Sequence, residues 1–118
     1  MTFTAHNIRL RDGTQTIPES GEMIADHPIC RATFRVLEPV LGGDLTGKTI
    51  VDLACLEGGY TAAFAARGMK ALGIEARQNN FVNVQIVQRT LDLPSLSLCD
   101  RRGPGAIRGT DAESCQGR

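Results

Sequence analysis

Hydrophobic and polar positions alternate along this chain with two different periods, and the changes of period mark its elements. Thr49 to Leu53 is a β-branched and apolar run of strand length, followed by small residues and the pair Gly58-Gly59, so a strand ends there in a tight turn. From Gly59 the pattern turns helical: the alanines around Phe64 favour a helix over Tyr60 to Arg67, with Gly68 where a left-handed cap is wanted. Ala71 to Ile74 is a second short apolar run, and Phe81, Val84, Val87 and Leu91 recur at helical spacing between Gln78 and Leu91. Asp92-Leu93-Pro94 stops that helix, and Leu96 to Cys99 reads as a third strand ending on Asp100.

The first part of the chain is less regular. Ile8 and Leu10 alternate with polar neighbours up to Asp12-Gly13, and the alternation resumes with Thr14, Thr16 and Ile17, which predicts a two-stranded hairpin ribbon. Pro18 to Gly21 breaks the pattern. Asp26-His27-Pro28 then offers a cap with proline in the first helical turn, and Ile29, Thr33, Val36, Leu37, Val40 and Leu41 supply a helical stripe. Pro39 is expected to kink or end this helix near Leu37 or Glu38. From Arg101 onward the sequence has one large aliphatic residue, Ile107, and no period, so disorder is expected there. The organisation is thus a hairpin and helix leader over 1–46, a strand and helix domain over 47–100, and a tail over 101–118.

This pattern predicts an α/β, Rossmann-like doubly wound parallel sheet, incomplete at about three strands in the spatial order third, second, first. The first strand is apolar enough to be central and buried on both faces, yet the carboxyl side of the sequence supplies it with one neighbour, which leaves an edge open to homo-oligomers.

Composition narrows the chemistry. The 118 residues leave room for one modest core, and thirteen basic residues balance thirteen acidic ones. With no basic stripe or interleaved aromatics, nucleic acid is not an expected partner. No apolar run approaches membrane-spanning length, so no membrane partner is expected. Cysteines at 30, 55, 99 and 115 are spaced too irregularly for a zinc or C-x-x-C site, which suggests reduced thiols in the cytoplasm, and two histidines far apart leave no metal site expected.

The candidate chemistry lies at the strand ends. Asp52, Glu75 and Asp100 each close a strand, and the glycine turn after Asp52 offers backbone N–H groups and a helix N-terminus to a ligand. Glu75 is placed to accept from a ribose diol. Other residues carry simpler expectations: Glu57 complements the helix dipole, Tyr60 packs, Cys55 is buried filler, and His6 and His27 are surface or capping residues.

Val51 to Gly59, followed by Glu75, resembles the class I S-adenosylmethionine-dependent methyltransferases, whose first motif is D-x-G-x-G-x-G. Asp52, Ala54, Leu56 and Gly58 occupy the motif positions, so alanine and leucine replace two glycines. The run DLACLEGGY with GIEAR is similar to a DLGCLEGG-type variant seen in bacterial members, and the likeness extends over residues 5 to 100. The resemblance implies S-adenosyl-L-methionine as cofactor, with Asp52 holding the methionine ammonium and the backbone of Ala54, Leu56 and Gly58 lining the methionine and ribose. Glu75 would take the ribose hydroxyls, Ala76 would lie against adenine, and Asp100 would accept from its amino group. The acceptor is a small molecule or unknown, and no catalytic residue is identified. The family's fourth strand has no counterpart here, and the likeness ceases after Asp100 as if the frame had shifted, which implies weak activity or none. Competing expectations are a non-catalytic module that folds against a partner and a nicotinamide-binding oxidoreductase fragment.

Overall fold

The computed structural model describes residues 2–93 and 96–100, with the side chains of Cys99 and Asp100 outside that description. The expectation of a disordered tail over 101–118 therefore concerns residues outside it. Six elements carry the architecture: α1 (Pro28–Val40), β1 (Thr49–Leu53), α2 (Gly59–Ala66), β2 (Lys70–Glu75), α3 (Gln78–Leu91) and β3 (Leu96–Asp100). The strands form one parallel sheet in the order β1-β2-β3, the third, second, first order expected. This is a Rossmann-like α/β unit.

Parallel pairing with side-chain alternation sorts the strands into two rows. Asp52 lies beside Gly73, and Gly73 beside Leu98, so Ile50, Asp52, Ala71, Gly73, Glu75, Leu96 and Leu98 share one face. That face is the buried one, with Ala71, Leu96 and Leu98 each only 2% exposed, and helices α2 and α3 pack on the sheet. Val84 and Val87 of α3 and Met69 ahead of β2 are fully enclosed. Phe34 of α1 meets Phe64 of α2 edge to face at 5.5 Å, and the Arg67 guanidinium lies 4.2 Å above the Phe34 ring while pairing with Glu38 at 2.7 Å.

Three expectations need correction. Strand β1 is not buried on both faces: Val51 is 55% and Leu53 73% exposed, because β1 is an edge strand and its second face carries no covering element among the described residues. Helix α1 does not end at Glu38 but runs to Val40. Pro39 lies in the last turn, where its missing N–H leaves only the carbonyl of solvent-exposed Arg35 without its helical partner, and Leu41 N–H still reaches the Leu37 carbonyl at 2.9 Å. The N-terminal hairpin contracts to a single antiparallel bridge between Arg9 and Gln15 around the Asp12-Gly13 turn. The Thr16 hydroxyl accepts from Ile8 N–H and donates to the His6 carbonyl, so a side chain replaces the next rungs of the ladder.

Candidate functional site

The site is built where β1 ends and the chain turns into α2. Ala54 has φ 56°, Leu56 φ 53° and Gly58 φ 82°, so alternate residues of the turn hold left-handed backbone. Glycine reaches that region freely, whereas an L side chain there costs roughly 1–2 kcal/mol. Ala54 and Leu56 thus hold a conformation that glycine would favour, and neighbouring contacts keep them in it. Cys55 N–H bonds the Ile74 carbonyl at 3.0 Å and Leu56 N–H donates to Glu75 Oε2 at 2.9 Å, which ties the turn to the end of β2. Two glycines are required by space: a Cβ on Gly58 would meet Val84 at 2.8 Å, and one on Gly59 would meet Ile24 at 2.5 Å and His6 Nδ1 at 2.9 Å.

The strand-end acids differ in environment. Asp52 is half-buried and accepts the Thr61 hydroxyl on Oδ2 at 2.6 Å. Burial pushes its pKa up, against the pull of the Thr61 hydroxyl and of His6. Glu75 is 4% exposed and accepts from Leu56 N–H, from Arg77 N–H on Oε1 at 2.7 Å and, at 3.5 Å, from Asn80 Nδ2. A carboxylate offers about four acceptor sites, so Glu75 braces the turn and keeps limited capacity for a ligand, with Asn80 the weakest partner to displace. Ala76 follows it on the surface, and Asp100 stands opposite Glu75 in the register of β2 and β3. Asp52, Ala54, Leu56, Gly58, Glu75 and Ala76 are thereby gathered at the carboxyl end of β1 and β2, where ligands of open α/β sheets bind.

No family model and no curated protein matches the chain. Among solved structures, it is similar to the N-terminal domain of EvdMO1, crystallised in the presence of SAH and D-fucose, with a TM-score of 0.54 and 22% identity over 78% of this chain. The likeness is one of fold. It covers 36% of the EvdMO1 chain, so this chain spans little more than a third of that length.

Two residues of the site escaped sequence reasoning. Glu57, expected to complement the helix dipole, is 1% exposed and accepts the N–H groups of Thr4, Ala5 and His6 at 2.7, 3.0 and 2.8 Å. Burial would raise its pKa, but the backbone donors outweigh it and hold the carboxyl below its ordinary range. No local signal could have shown this, because the donors lie 51 to 53 residues away. His6 is 5% exposed, and its Nδ1 accepts Gly59 N–H at 2.9 Å, so it does cap a helix, but one far along the chain. His27 caps its own helix through Ile29 N–H at 3.2 Å.

Cys55 is the buried filler expected, its thiol pushed up to about 12 by burial foremost and then by Asp52, which removes it as a nucleophile. A cleft of about 260 Å³ lies elsewhere, lined by Ile8, Ile24, the Ala62, Ala63 and Ala66 side of α2, Leu91 and Leu93. Neither Asp52 nor Glu75 lines it. Among the described residues no group of three or more His, Cys, Asp or Glu side chains is arranged for a metal, and no helix is long and apolar enough to cross a membrane.

Proposed function

We propose that this chain is the cofactor-binding part of an S-adenosylmethionine-dependent methyltransferase. The single observation that carries the reading is the left-handed backbone at Ala54, Leu56 and Gly58, the alternate positions at which the D-x-G-x-G-x-G motif has glycine. Such strain persists only where the surroundings impose it, and it collects at ligand sites. The fold likeness to a domain crystallised with SAH supports the same reading.

The residues present suit the cofactor. Asp52 would accept from the methionine ammonium, directly or through water, while the Thr61 hydroxyl holds its Oδ2 in place. The turn would run beside the methionine and ribose, Glu75 would take a ribose hydroxyl in place of the long Asn80 contact, Ala76 would lie against adenine and Asp100 near its amino group. S-adenosylmethionine supplies an already activated methyl group, so the task left to the protein is in-line positioning of an acceptor. That acceptor is of small-molecule or undetermined class; nucleic acid and membrane are not proposed partners. We place the chain in the cytoplasm, with Cys30 and Cys55 as free buried thiols, and expect it to self-associate through the open side of β1.

Calorimetry with S-adenosylmethionine, SAH and NAD tests the reading. Binding of the first two without NAD is expected; binding of NAD alone favours the nicotinamide reading, and silence from all three overturns both. Glu75→Gln should weaken SAH binding by about 1–3 kcal/mol, since a charged acceptor is lost. Unchanged affinity in a folded variant would leave Glu75 as a brace of the turn and nothing more.

A further inference from the structure

Residues 2–8 form neither helix nor strand, yet they are fixed against the start of α2. Glu57 gathers three of their N–H groups, Asn83 Nδ2 donates to the Thr2 carbonyl at 2.8 Å, and Phe3 is buried in the core. One contact runs the other way. Helix α2 has glycine at its N-cap, with no side chain to satisfy the first N–H groups, and His6 Nδ1 supplies the acceptor to Gly59 from 53 residues away. The imidazole also stands edge to face with Tyr60 at 5.6 Å, and Gly59 has no room for a Cβ against it.

A ring nitrogen that accepts a hydrogen bond carries no proton, so the neutral imidazole here has its hydrogen on Nε2. Protonation would place an N–H on both nitrogens and set donor against donor at Gly59. We propose that His6 is a positioning residue for the cofactor turn: its neutral ring locks the amino-terminal segment onto the start of α2, and ligand binding at that turn weakens when the lock opens in acid. The proposal rests on the cofactor reading given above.

The groups facing the ring are Glu57 from the turn, Asp52 from β1 and Tyr60 from α2. The charges of Glu57 and Asp52 favour protonation, but burial is the larger influence and pushes His6 below its ordinary value of 6.5. The folded chain therefore binds this proton less readily than the unfolded chain, and stability rises with pH through the interval below 6.5. At neutral pH the lock is closed. It lies one residue beyond Gly58, the last of the three left-handed positions, so its release frees the turn at the point where it enters the helix.

The test uses side chains that copy one half of the imidazole. Asparagine at position 6 sets an acceptor near the place of Nδ1 and does not titrate; alanine removes the acceptor. With calorimetry of SAH binding from about pH 8 to about pH 5, the wild-type chain should lose roughly tenfold in affinity on the acid side. His6→Asn should bind within about threefold of wild type at neutral pH and show a flat profile, and His6→Ala should bind roughly tenfold more weakly throughout. An unchanged acid slope in His6→Asn, or wild-type affinity in His6→Ala, overturns the proposal. Nitrogen-15 spectra of the wild-type chain decide the lock without any variant or ligand. The Nε2–H tautomer is expected, with the Gly59 amide shifting as the imidazole titrates; the Nδ1–H tautomer, or a Gly59 amide indifferent to pH, overturns it. If SAH fails to bind while the spectra show the lock, the cofactor reading falls and the role at the turn falls with it, leaving a structural pH switch.

Discussion

The two faces of the sheet come from the same three strands, one residue out of step, and they have opposite fates. On one face Ala71, Gly73, Leu96 and Leu98 are sealed under helices, and the polar groups that end the rows, Asp52 and Glu75, are held by Thr61 and by the backbone of the turn. On the other, Val51 and Leu53 are equally apolar and lie 55% and 73% exposed. Hydrophobicity marks what a face is able to bury, while helix placement decides what it does bury. Helix α2 comes close to the covered face where Thr61 lies against Gly73, a Cβ on which would meet the Thr61 hydroxyl at 3.0 Å, and α3 fills the rest of that face with Val84 and Val87.

The comparison is most sharply tested by placing the same charge on each face. Leu98→Asp should cost about 4 kcal/mol or more, a large part of the ~5–15 kcal/mol stability of a small domain, since it buries an unpaired carboxylate. Leu53→Asp should change stability by no more than about 0.5 kcal/mol and should reduce self-association through the open side. Urea unfolding and light scattering measure the two. Equal destabilisation by both would mean that the second face is covered in solution, and the contrast drawn between the faces would fail.

Next in size is the clamp that closes the carboxyl end of the covered face. Glu57→Ala leaves three backbone N–H groups without their acceptor and should cost about 3 kcal/mol. Its effect should also depend on pH. The folded pKa of Glu57 lies below its ordinary 4.5, so its contribution is complete above that value and is lost as pH falls through the lower folded pKa. The variant should therefore lose part of the acid limb seen in the wild type, and an unaltered limb would assign acid unfolding to other groups.

The smallest effect concerns the turn that leaves the covered face. Ala54 is exposed and left-handed, so Ala54→Gly removes backbone strain without removing a contact. After the greater freedom of glycine in the unfolded chain is subtracted, a gain of about 0.5–1 kcal/mol remains. A loss of stability in thermal unfolding would show that the turn relaxes out of the left-handed region.

Much of the fold was legible from sequence because its signals are local. The switch from period two to helical spacing between Leu53 and Tyr60, the breaker at Asp92-Leu93-Pro94 and the matching strand lengths were enough for the element order and the parallel sheet. The turn's place, the gathering of Asp52 and Glu75 at strand ends and the burial of Cys55 were legible for the same reason. The position of Pro39 misled, because a helix tolerates proline where the deprived carbonyl faces water, and exposure is not a local property.

The remaining features depend on contacts between distant parts of the chain. The burial of Glu57 under the backbone of residues 4–6, the reach of His6 to Gly59 and the exposure of Val51 and Leu53 have no counterpart in the residues beside them. A carboxylate next to a glycine pair has the same local pattern whether it faces water or closes over another segment. Local sequence thus determined which backbone shapes were affordable, including where left-handed residues would be needed. Which polar groups meet, and which apolar row stays open, was settled by packing, since desolvation and hydrogen bonding act on neighbours in space.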